Sequence, residues 1–187
     1  TARNMVQKPK HHAALPYVEI GAFMAKLRAV PTVSARCLEF SILAACRSSE
    51  ARLATWEMVD LQGKRIVFPA ELMKASKEQE VPLTDEMVAL LEALPREDGN
   101  SLVFIGTSRS GGLSENALNN TAKAVSGKDI TQHGFRSSFR EWAGEATAHP
   151  REVIEHALSH QLKDKAEAAY QRGTLMPKRR RLMEDWS

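Results

Sequence analysis

His133-Gly134-Phe135-Arg136-Ser137-Ser138-Phe139-Arg140-Glu141-Trp142 is the stretch on which the reading of this chain turns. Wound as a helix, it lines up Phe135, Phe139, Trp142 and Ala146 as one apolar stripe, which predicts a helix packed on a core. His133 and Arg136, three residues apart, then share a neighbouring face roughly 120° away. Arg supplies a planar fork of donors and His a switchable proton, so the pair suits a phosphate. Such a pair also arises by chance on many helix surfaces. Its meaning rests on what the rest of the chain offers.

Working outward, residues 150–159 read as another helix with Val153, Ile154, Ala157 and Leu158 on its apolar face and His160 at its end. Upstream, the pattern turns helical at Pro16, with Val18, Ile20, Phe23, Met24 and Leu27 on a helical spacing of mostly three or four residues. Ser34 is placed to cap a second helix that carries Leu38, Ile42 and Leu43, and 48–55 continue helically after a polar break. The period then changes. Residues 63–68 read as a strand, 80–83 as its partner, and between them lies an exposed basic loop with Lys74 and Lys77. Thr84 caps a helix facing Val88, Leu91 and Leu94 inward; 101–105 are a short apolar stretch; Ser114 is placed to cap a further helix. The fold class expected is α+β, mostly helical with one small antiparallel sheet.

The chain has 187 residues, 43% hydrophobic and 26% charged, which suits one globular domain with an ordinary core and excludes wholesale disorder. No run of about 18 apolar residues is present, and no secretory signal is read at the start. Cys37 and Cys46 fall in one helical region and read as small core hydrophobes, which suggests a reducing, cytoplasmic setting. Lys and Arg number 26 against 23 Asp and Glu, a formal +3 that hides an uneven distribution. Residues 1–15 read as a basic linker, with Arg3, Lys8, Lys10, His11 and His12. The other basic run holds Arg172, Lys178, Arg179, Arg180 and Arg181, whereas Glu78, Glu80, Asp85 and Glu86 cluster mid-chain. Basic ends on a near-neutral body suggest an anionic partner, although solvated termini also carry charge.

Two further residues stand out. His156 and His160 are four apart, like a helical zinc pair, but Ala157 stands where that motif needs a Glu base, and no third ligand is evident. Tyr170 lies in Ala168-Ala169-Tyr170-Gln171-Arg172 behind a small, charged stretch that gives a large aromatic little core to join. The other tyrosine, Tyr17, opens the first helix.

In chain order these residues resemble the catalytic set of the tyrosine recombinases, the phage-type integrases. Cys46-Arg47-Ser48-Ser49-Glu50 is similar to the family's first Arg turn, and Met73-Lys74 ahead of Val81-Pro82-Leu83 to its hairpin lysine. His133-Gly134-Phe135-Arg136 matches the His-x-x-Arg box, Leu158-Ser159-His160 the Leu-Gly-His box, and Tyr170 the nucleophile. The likeness spans residues 14–186. Ala14-Leu15-Pro16-Tyr17 and the segment from Arg180 to Trp186 look most like prophage and genomic-island integrases.

The resemblance implies the DNA breaking-rejoining catalytic fold, with residues 16–187 as catalytic domain and without the family's arm-type and core-type DNA-binding domains. It implies cleavage by Arg47, Lys74, His133, Arg136, His160 and Tyr170, with Lys77 an alternative to Lys74. Glu50, three residues after Arg47, is placed to orient its guanidinium. Ser159 replaces the usual Gly, a small-for-small change expected to be harmless. Arg172, Lys178, Arg179 and Arg180 are expected on the DNA backbone. No cofactor, metal or ATP is implied. The implied partners are double-stranded attachment sites, further copies forming a tetramer, and accessory DNA-bending or excision factors, with the protein at the nucleoid when bound to DNA. Two rivals remain: a non-catalytic DNA-binding protein, and a metal-dependent nuclease using His156 and His160.

Overall fold

A computed structural model describes residues 13–160 and 173–187. Its centre is α2 (Val33–Leu43), in which Ala35, Cys37, Leu38, Glu39, Phe40, Ser41, Ile42 and Leu43 are all buried. A helix buried almost all round must be wrapped by others. Around it pack α1 (Ile20–Arg28), α3 (Ser48–Arg52), α4 (Asp85–Glu92), α5 (Ala117–Ser126) and α6 (Gln132–Ala146). Glu39 is tolerated inside because Arg28 Nε and Arg36 Nη1 meet its two oxygens at 2.7 and 2.9 Å. Both cysteines are free and buried, as expected of small core residues, and burial pushes their thiols well above the ordinary range.

The helical starts differ from expectation in detail. Thr32, not Ser34, caps α2, its Oγ1 accepting from Ala35 N at 3.2 Å. Thr84 caps α4 as expected, but α5 begins after Asn116, with Ser114 contributing only a carbonyl to Ala117 N. Val18 sits in a 3-10 turn (Tyr17–Glu19) and is 77% exposed, because α1 begins only at Ile20. On α6 the inward stripe is Phe135, Phe139 and Ala143, with Trp142 partly buried; Ala146, at the last turn, has left the core.

The sheet has three antiparallel strands in the order β1 (Val59–Asp60), β2 (Arg65–Phe68) and β3 (Gln79–Pro82). Ile66 pairs with Val81 and Phe68 with Gln79, which turns Ile66 and Phe68 inward. β1 escaped the sequence reading because two residues are too few to show alternation. Among the described residues, the last two helices are α7 (Arg151–Ala157) and a C-terminal α8 (Met176–Trp186). Helix α8 packs on α7 and β3, and Trp186 lies edge-on to Phe139 with centroids 5.3 Å apart while its Nε1 donates to Ile42 O at 2.8 Å. Among the described residues, no helix is long and apolar enough to cross a membrane.

Candidate active site

Two helices end in the same way at the heart of the site. At the end of α2, Cys46 N donates to Ser41 O and Ala45 N to Ile42 O. At the end of α7, His160 N donates to Glu155 O and Ser159 N to His156 O. Each pair of bonds closes a Schellman turn, which needs its penultimate residue in the left-handed region. Ala45 (φ 49°) and Ser159 (φ 54°) occupy it, although neither is glycine. The replacement of Gly by Ser159 is therefore not neutral for the backbone: a Cβ in this conformation costs about 1–2 kcal/mol.

Helix ends leave carbonyls without intrahelical partners and carry partial negative charge. Arg136 answers both ends. Its Nη1 donates to Ala45 O and its Nη2 to Leu158 O at 2.6 Å. Arg136 is thus 4% exposed, its guanidinium turned inward between the two helix ends rather than out to solvent. Burial, followed by the nearby charge of Arg47 and opposed by Glu50, pushes Arg136 down to about 10, so it remains charged at neutral pH. Gln132 adds a third tie, Nε2 donating to Cys46 O at 2.8 Å. Gly134 is required at the start of α6, since a Cβ there would lie 2.2 Å from Ala13 O.

Arg47 leaves the first of these turns as the residue before α3. Buried Glu50 accepts from Arg47 N with Oε2 and from Arg47 Nη1 with Oε1, both at 2.8 Å. The contact expected from their three-residue spacing is present, and it fixes both the backbone and the head group of Arg47.

His160 follows the second turn. Its Nδ1 lies 2.7 Å from Glu155 Oε2, while Glu155 Oε1 accepts from Arg140 Nε at 2.8 Å and pairs with Nη2 at 2.6 Å. Burial raises Glu155, but the hydrogen bonds from His160 and Arg140 outweigh it and hold the carboxyl below its ordinary value. Glu155 was missed in the sequence. Five residues before His160 is not a helical neighbour spacing, and only the turn folds His160 back over it. His156, half-buried, is lowered by burial and by the charges of Arg179 and Lys77.

His133 is exposed at the first turn of α6, and Lys74 and Lys77 are exposed in the β2–β3 connection, Lys77 being the one whose charge reaches His156. Tyr170 and Arg172 lie outside the described residues. In α8 the expected row of backbone-binding cations breaks up. Lys178 is exposed. Arg179 is 1% exposed, donates to Glu80 O and Thr174 O, and is pushed down to about 10 by burial. Arg180 donates to Leu83 O and Lys64 O at 3.1 and 3.0 Å. Arg179, expected on the DNA backbone, instead ties α8 to β3 in this structure, because open strand and loop carbonyls face that side of the helix.

Comparison with known proteins agrees with this architecture. The sequence matches the phage integrase family over residues 15–174. It is 32% identical to the prophage integrase IntZ of Escherichia coli K12 over 97% of this chain and 46% of that protein. It is 30% identical to the integrase of Enterobacteria phage P4 over 96% of this chain and 45% of that protein. The chain thus spans about half the length of these relatives. In fold it is similar to the integrase of mycobacterium phage Brujita (TM-score 0.69, 17% identity, 98% of this chain and 62% of that one). It is also similar to a lambda integrase dimer bound to a COC′ core site (TM-score 0.62, 18% identity, 83% and 60%). With the match covering most of its length and the same fold in both structures, the chain belongs to the phage integrase family.

Proposed function

We propose that this chain carries out site-specific recombination of double-stranded DNA, integrating or excising a mobile element by strand cleavage and rejoining. The observation that carries this reading is the pair of guanidinium groups, Arg47 and Arg136, held near each other by helix ends and one carboxylate. Like charges brought together in a half-buried place favour an anion between them. A phosphodiester is the anion whose transition state gains further charge, and preorganised donors are then worth most.

In the proposed chemistry the Tyr170 oxygen attacks the scissile phosphorus and the bond to the 5′ oxygen breaks. The phenol, ordinarily ionising near pH 10, passes its proton to His133, and Lys74 protonates the departing 5′ oxygen. Arg47, Arg136 and His160 hold the phosphoryl oxygens while Glu50 orients Arg47. The product is a 3′-phosphotyrosine, and the reverse reaction with a new 5′ hydroxyl rejoins the strand. Bond energy is kept in the phosphoester, so no ATP is needed. Assembly as a tetramer on two sites, with accessory DNA-bending or excision factors and exposed Lys178 near the DNA backbone, belongs to the same proposal. The IntZ and P4 similarity supports it, as does the resemblance in fold to the lambda integrase dimer bound to a COC′ core site.

The test is covalent trapping on a nicked duplex bearing the attachment-site core. The expected result is a denaturant-resistant protein–DNA complex that forms in chelator and is absent in Tyr170→Phe. Equal behaviour of wild type and Tyr170→Phe would leave only DNA binding, and loss of activity in chelator without an adduct would point to a metal-dependent nuclease.

A further inference from the structure

His160 is held twice by one residue. Its backbone N–H donates to Glu155 O at 2.9 Å, and its Nδ1 meets Glu155 Oε2 at 2.7 Å. Glu155 is 7% exposed, so its carboxylate needs compensating charge, and Arg140 supplies it through Nε and Nη2 from α6. The carboxyl is held below its ordinary value and is ionised at neutral pH. An ionised carboxylate can only accept, so the hydrogen between the two groups resides on Nδ1. That leaves Nε2, across the ring, for a ligand. The same turn presents Leu158 O to Arg136 Nη2, so imidazole and guanidinium are registered on one piece of backbone.

The geometry points to Glu155, clamped by Arg140, as a positioning residue that holds Nδ1–H and so fixes the aim of His160, turning Nε2 toward the phosphate bound by Arg47 and Arg136. This rests on the recombinase reading above for what Nε2 meets, but not for how the ring is held. A ring free to flip would face the phosphate with Nε2 only part of the time; held through Nδ1–H, it keeps Nε2 there, where it donates to a phosphoryl oxygen when the ring carries both protons. Glu155 removes that freedom before DNA binds.

The experiment uses the full protein and compares wild type, Glu155→Gln and Arg140→Gln in three readouts. The first is single-turnover formation of the Tyr170-dependent adduct; the second is affinity for the same duplex; the third is the ¹H–¹⁵N resonance of His160 Nδ1 without DNA, assigned with His160→Asn. Glu155→Gln is expected to slow adduct formation about tenfold or more at nearly unchanged affinity, and to abolish or displace the Nδ1–H resonance. Arg140→Gln is expected to act in the same direction and less strongly. Should Glu155→Gln fail to fold, Arg140→Gln decides, since the Arg140 side chain is 53% exposed and its loss leaves the core intact. A folded Glu155→Gln with wild-type adduct kinetics, an Nδ1–H resonance untouched in both variants, or, where Glu155→Gln is unfolded, an Arg140→Gln with wild-type kinetics, overturns the inference. Absence of any Tyr170-dependent adduct in wild type sinks the recombinase reading instead, and the resonance then decides alone how His160 is held.

Discussion

Replacing Ser159 with Gly tests the turn that delivers His160. Ser159 stands at φ 54°, where an L side chain is strained by about 1–2 kcal/mol. Glycine removes that strain, but it also loosens the unfolded chain, which offsets about 0.4–1 kcal/mol. The net expectation is a stabilisation of about 0.5–1 kcal/mol, or a rise in melting temperature of about 1–4 °C for a domain of this size. Ala45 provides an internal contrast. It stands at φ 49°, but its methyl group is 2% exposed, and losing a buried methyl removes about 0.8 kcal/mol. Ala45→Gly is therefore expected to leave stability nearly unchanged. Ser159→Val, with a branched Cβ in the same conformation, should be destabilised well beyond Ser159→Ala. Urea denaturation of the four variants, followed by far-ultraviolet circular dichroism, gives the comparison. A Ser159→Gly protein no more stable than wild type, together with a Ser159→Val protein as stable as Ser159→Ala, would refute the left-handed turn. It would also refute the placement of His160 over Glu155 that depends on it.

Gly134→Ala should destabilise the domain by about 1–3 kcal/mol in the same denaturation assay, because the new methyl would lie 2.2 Å from Ala13 O. Glu50→Gln removes the carboxylate that holds Arg47, so adduct formation should fall and stability should drop by about 1–3 kcal/mol, read by trapping and urea midpoints. Lys178→Ala should weaken DNA binding and reduce its salt slope by about one without changing the melting temperature, while Arg179→Ala should lower the melting temperature. The Glu155 carboxyl is depressed on folding, so its contribution is fully present above its ordinary value of 4.5 and is lost as pH falls through the lower folded value. The stability difference between wild type and Glu155→Gln should therefore shrink progressively below about pH 4.5, measured by urea midpoints from pH 6 downward.

Helices α2, α4, α6 and α7 and the strand pair β2–β3 were legible because periodicity of 3.6 and alternation of two are local properties of the chain. The spacing of Arg47 and Glu50 was legible for the same reason, since three residues on a helical turn meet. Capping was less so. Thr32 and Ser34 are both good caps, and only the point at which the chain turns away from α1 chooses between them.

By itself, then, the sequence determined the order of the candidate residues and, within the described residues, most of the elements around them. Tertiary structure alone decided what each cation meets. The pattern places Arg136 three residues from His133, but every helix ends in open carbonyls that no side chain encodes. Only the packing of α6 between the ends of α2 and α7 brings Ala45 O and Leu158 O to that guanidinium. Likewise Arg179 and Lys178 are neighbours of one charge in the sequence, yet one is buried against Glu80 O and the other faces solvent. Glu155 meets His160 through a turn whose left-handed residue is a serine that no local rule favours there. Periodicity reports a face; what covers that face is set by elements far away in the chain, and electrostatic partners are fixed there.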